Sequence, residues 1–179
     1  MPAMNYCSTR ILPDQFRRMK KVLIFPKPFR IKNPTLDDQN SYMISSLIDE
    51  VEMKEVGNFV EVNTLQESDY AKEIRRIVAK QKPDWVIASG ESATACINLY
   101  GQNKILVNPV VTFNDLNNVP EHARQHIYGF FGALPEQEKS YELFQTVYPN
   151  AAWYFNVPEL QLVYIKDISI AIINDKSKD

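Results

Sequence analysis

The heptapeptide Ala88-Ser89-Gly90-Glu91-Ser92-Ala93-Thr94 sits between the apolar run "DWVI" and the segment "ACINLYG". Small residues around one glycine and two serines are the ingredients of a sharp strand-to-helix turn that presents a hydroxyl to an acyl carbon. A serine so placed needs a base to take its proton and a carboxylate to orient that base. The chain has two histidines, His122 and His126, and an acid at Glu136. One reading is therefore a rearranged triad of Ser92, His126 and Glu136 acting on small carboxyl esters. In the plainer reading Ser92 and Glu91 merely open a helix, where a hydroxyl and a negative charge suit the free N–H groups.

Other residues suggest other chemistry, and each has a structural explanation. His122 and His126 are four apart, a spacing that on a helix would put both on one face as a half-site for zinc, but no third ligand accompanies them. No metal is expected. Cys96 lies near an apolar helical face and reads as a small core residue rather than a reactive thiol. The run Ser89-Gly90-Glu91-Ser92 can cradle an anion with backbone N–H groups, yet Glu91 opposes one and a single glycine matches no nucleotide-binding pattern. No cofactor is expected. Trp85 and Trp153 follow strand periods and read as core.

These residues need a frame. The 179 residues carry 45% hydrophobic and 23% charged side chains and a net charge of −2, which describes one ordinary globular domain that can bury roughly 70% of its unfolded surface. No basic stripe points to nucleic acid. No apolar run approaches the twenty residues of a membrane span, and the start has no secretion-signal core. Two cysteines make neither a disulfide framework nor a zinc cluster. The expectation is a cytoplasmic protein, with residues 1–19 a leader and 20–179 the domain; the methionine before the first strand leaves Met1 and Met19 both open as the start.

Within 20–179, short β-branched runs alternate with helical periods, which predicts a mostly parallel sheet in a three-layer α/β/α sandwich. Strands are expected at 21–25, 59–62, 84–88, 105–107, 127–131 and 151–155. Tyr42, Met43, Leu47, Ile48 and Val51 mark one helix, Thr64 and Glu67 cap another, and Tyr141, Phe144 and Tyr148 mark a third. The run "ISIAII" near the end suits a helix or a strand. In such a sheet ligands lie at the carboxyl ends of the strands. The loops that matter are therefore 26–33, 89–92, 108–118, 132–138 and 156–161, which nominate Ser89, Gly90, Glu91, Ser92, Asn108, Pro135 and Pro158 as pocket residues.

Three segments, "KPDWVIASGESA", "VNPVV" at 107–111 and "YGFFG" at 128–132 followed by "YELFQTVYPNA", resemble small bacterial α/β-hydrolases of the serine-esterase type over about Lys20 to Ile173. The resemblance implies an α/β-hydrolase-like fold and a nucleophile turn, a histidine, a carboxylate and backbone oxyanion donors. Each part departs from the pattern. A gapless count from "VNP" puts Gly90 at the nucleophile position, where glycine takes positive φ at little cost. Ala133-Leu134-Pro135 stands where the family carries its Gly-Asp pair, Pro158 where it carries histidine, and Pro28, which has no N–H, follows the first strand. The implied protein is catalytically silent and binds an unidentified small molecule or protein partner; the alternative is an esterase acting through Ser92.

Overall fold

The computed structural model describes residues 20–26, 57–62, 70–99, 101–117, 126–132, 135–156 and 158–175. The expected helix at 42–51, the cap at Thr64 and Glu67, Pro28, His122 and the leader lie outside them.

The apolar runs become strands because each supplies β-branched or aromatic residues to both faces of a sheet, which suits parallel strands covered on two sides. They are β1 (Lys20–Phe25), β2 (Gly57–Glu61), β3 (Trp85–Ser89), β4 (Asn103–Val107), β5 (Ile127–Phe131) and β6 (Ala152–Tyr154). They form one six-stranded sheet in the order β2-β1-β3-β4-β5-β6, parallel at every pairing. The order reverses between β1 and β3, and in open sheets of this kind ligands bind at the carboxyl ends of the strands beside such a reversal.

Between the strands stand α1 (Tyr70–Gln81), α2 (Glu91–Cys96), α3 (Phe113–Asn117), α4 (Pro135–Val147) and α5 (Pro158–Ile173). Side chains alternate across the sheet, so each strand feeds two cores. Leu23, Phe25, Val86, Ala88, Leu106 and Phe131 pack with Ile74 of α1, Cys96 of α2, Leu116 of α3 and Phe144 of α4. On the other face Val22, Ile24, Trp85, Ile87, Ile105 and Phe130 pack with Ile165, Ile172 and Ile173 of α5. The result is the expected three-layer α/β/α class. One close approach requires glycine: a Cβ on Gly129 would stand 2.7 Å from Phe131 Cε2 and 3.1 Å from Phe144 Cε1.

Several boundaries differ from the sequence expectation. Strand β4 starts two residues earlier, taking in the polar Asn103 and Lys104, because its pairing with β3 begins at Trp85 and Asn103. Asp84 stays outside β3 and its carboxylate accepts the Lys21 N–H at 2.8 Å. The run "ISIAII" is helical; Lys20 Nζ donates to its last carbonyl, Ile173 O, at 2.5 Å, a favourable place for a cation.

Candidate functional site

The carboxyl ends of β1, β3 and β4 lie side by side where strand order reverses. After β3 the chain turns at Gly90, with φ 59° and ψ −129°, and enters α2. This is backbone that side-chain-bearing residues rarely adopt. Gly90 N–H donates to Val107 O at 2.9 Å, locking the turn to the end of β4. Glu91 is exposed in the first turn of α2, while Ser89 and Ser92 are buried. The Ser92 hydroxyl caps nothing in its own helix. It crosses to the chain leaving β1 and donates to Pro26 O at 3.0 Å.

The segment after β4 is held from three sides. Asn108 takes a left-handed φ of 53°, and its N–H donates to Phe130 O at 2.7 Å. Gln137 of α4 donates through Nε2 to Asn108 O at 3.4 Å and Pro109 O at 3.3 Å. Thr94 Oγ1 of α2 accepts the Val110 N–H at 3.0 Å, and Ser140 Oγ of α4 accepts the Val111 N–H at 3.3 Å. Thr112 and Asp115 then cap α3 reciprocally: Asp115 Oδ2 accepts the Thr112 N–H at 2.8 Å and Thr112 Oγ1 accepts the Asp115 N–H at 3.3 Å. Among the described residues, five of the seven buried polar side chains, Ser89, Ser92, Asn108, Gln137 and Ser140, belong to this edge. Buried polar groups need partners, and here most of the partners are the loop backbone.

Gln137, Ser140 and Thr94 were not among the residues singled out from the sequence. The signal was present: Gln137 and Ser140 precede Phe144 and Tyr148 on one helical stripe, so two polar residues head an otherwise apolar face. Val110 and Phe113, 52% and 66% exposed, place apolar side chains on the outside of the same loop.

The residues of the candidate triad are not brought together. His126 immediately precedes β5, at the amino end of the sheet, where its carbonyl accepts the Lys104 N–H at 2.8 Å. Because Phe130 is the β5 residue level with Val107 and Ser89, His126 lies four residues, about 13 Å, down the sheet from the edge that Ser92 follows. Glu136 is exposed on the first turn of α4. Pro135 and Pro158 are the first residues of α4 and α5, a position where the missing N–H costs nothing.

Cys96 is fully buried, and burial pushes its thiol up to about 12, with the nearby Lys104 opposing the shift. A thiol in that state is not a nucleophile at neutral pH. Among the described residues no three of His, Cys, Asp and Glu gather to hold a metal ion, and no helix is long and apolar enough to cross a membrane.

No protein-family model matches the chain, and no curated protein matches it. Among solved structures, a fatty acid ABC transporter substrate-binding protein from Thermomonospora curvata aligns with 96% of this chain and 46% of its own at 15% identity and a TM-score of 0.39. The transcription regulator CcpA of Lactococcus lactis aligns with 79% of this chain and 60% of its own at 12% identity and a TM-score of 0.38. The chain therefore spans less than two thirds of the length of either structure.

Proposed function

We propose that the protein is an α/β-hydrolase-like binding protein without hydrolytic activity, which takes a small ligand at the carboxyl edge of its sheet. The observation that carries this reading is the turn at Gly90. The position at which the resembled esterases present their serine has no side chain, and the Ser92 hydroxyl two residues on is buried and donates to Pro26 O. Among the described residues the one histidine, His126, stands at the opposite end of the sheet from Ser92, and a hydroxyl without a base has nowhere to send the proton it must lose on attacking an acyl carbon. Binding is supported by the reversal of strand order between β1 and β3, where open α/β sheets take ligands, and by the buried polar side chains that hold the loops there.

A fluorophosphonate probe combined with a thermal-shift screen of small metabolites tests the proposal. The expected result is no labelling above a heat-denatured control, with one or more metabolites raising the unfolding midpoint saturably; a ligand at a hundred times its Kd adds about 2.7 kcal/mol. Strong labelling that disappears in Ser92→Ala would establish the esterase reading instead.

A further inference from the structure

Strand β6 ends the sheet, and among the described residues only β5 pairs with it. In a parallel ladder the main-chain groups of successive residues point to opposite neighbours. Ala151 O accepts the Gly129 N–H at 2.8 Å, and the Phe155 N–H donates to Phe131 O at 2.9 Å, so residues 151, 153 and 155 turn their main-chain groups to β5. Those of Ala152 and Tyr154 therefore point off the edge.

Edge strands are ordinarily blunted by a charge, a proline or a bulge. Residues 150–156, "NAAWYFN", contain neither a charge nor a proline, whereas β2 at the opposite edge ends on Glu61. The side chains of β6 continue an aromatic row. Trp85, Tyr128 and Trp153 stack across the face that α5 covers, with successive ring centroids 6.2 and 6.1 Å apart, and Phe130 stacks on Trp153 at 4.9 Å. The row stops at Trp153, which is half-buried. On the other face Tyr154 packs on Tyr141 of α4 at 5.5 Å.

We propose that the protein forms a two-fold dimer in which β6 pairs antiparallel with β6 of a second copy, about an axis at Trp153. The register follows from the groups that point off the edge. With Trp153 opposite its own copy, Ala152 stands opposite Tyr154 of the second copy, and each of these two symmetric pairs exchanges two main-chain hydrogen bonds. Trp153 then occupies the non-hydrogen-bonded site, where Cα atoms approach to about 4.5 Å and side chains are closest. The second Trp153 extends the row of rings. Aromatic cross-strand pairs are favourable, and along this seam no like charges oppose one another. A second copy meets every requirement with one self-complementary patch, as a two-fold contact does. A strand bearing charges would find no counter-charge on residues 150–156.

The test is sedimentation velocity of the full chain over a dilution series, with amide exchange followed by NMR at both ends of the series. The mass of two chains is expected at high concentration and that of one chain on dilution. The Ala152 and Tyr154 amides should be protected in the dimer and exchange freely in the monomer, while the Trp153 amide, turned to β5, stays protected in both. Ala152→Pro removes an outward donor at a position where an edge strand accepts proline, and it should be a folded monomer. If that variant does not fold, the exchange pattern of the wild type decides. A chain that stays monomeric throughout, a dimer whose Ala152 and Tyr154 amides exchange as fast as those of the monomer, or a folded Ala152→Pro that still dimerises would overturn the proposal. No readout involves a ligand, so the outcome is separable from the binding function proposed above.

Discussion

Ser92 Oγ lies 3.0 Å from Pro26 O, so a hydroxyl two residues past the strand-to-helix turn serves as a tie between the segments leaving β1 and β3. The two residues are 66 positions apart in the chain, and the bond joins the ends of the two strands between which strand order reverses.

Ser92→Ala leaves the half-buried Pro26 carbonyl without the Ser92 donor. The expected loss is about 1–2 kcal/mol of stability, read as a lower urea midpoint at unchanged slope. Hydrolysis of p-nitrophenyl acetate should equal that of the wild type, both at the buffer rate. A variant as stable as the wild type would show that the tie is dispensable.

Gly90→Ala forces a Cβ onto backbone at φ 59° and ψ −129°. A cost of roughly 1–3 kcal/mol follows, which for a chain of this size lowers the thermal midpoint by several degrees. Calorimetry decides the point, and an unchanged midpoint would mean that the turn relaxes freely.

Gln137→Leu keeps the volume and removes the amide that binds Asn108 O and Pro109 O. Two main-chain acceptors lose this donor, and α4 then holds the 108–112 segment through Ser140, beside Thr94 of α2 and the Asn108 N–H bond to Phe130 O. Amide exchange at Val110 and Val111 should accelerate about tenfold for each 1.4 kcal/mol lost locally, while exchange in β3 stays as it was. Uniform acceleration would point to global destabilisation instead.

Gly129→Ala places a methyl against the Phe131 and Phe144 rings, both fully buried. Overpacking of this kind costs typically about 1–3 kcal/mol. Chemical denaturation of the two proteins measures it, with a null result implying that the rings shift without penalty.

In a Cys7→Ser variant, the remaining thiol is Cys96, fully buried and pushed up to about 12. Native protein at pH 8 should leave a chromogenic disulfide reagent unreacted, and denatured protein should release one equivalent of thiol. Rapid reaction in the native state would mean that α2 opens readily.

Much of the fold was legible because it rests on short-range patterns. Runs such as Val22–Phe25 and Trp85–Ala88 are apolar at every residue, as two-faced burial demands, and Pro83 and Gly90 end elements by backbone chemistry that needs no neighbours. Asn103 and Lys104 escaped notice as strand residues because their polarity argues against a core position. Only the pairing to β3 and the carbonyl of Ile97 make room for them. The helical character of "ISIAII" was equally undecidable locally, since a buried helix and a buried strand share one composition.

The sequence by itself determined the α/β class, the positive-φ turn at Gly90 and the set of loops that gather at one edge of the sheet, because each follows from residue type and local period. Which side chains meet there was decided by the tertiary structure alone. Strand register sets His126 at the far end of the sheet from Ser92, the reversal of strand order turns the Ser92 hydroxyl to Pro26, and the packing of α4 brings Gln137 to the loop after β4. Those relationships depend on contacts between residues far apart in the chain, whose geometry exists only once the sheet is assembled.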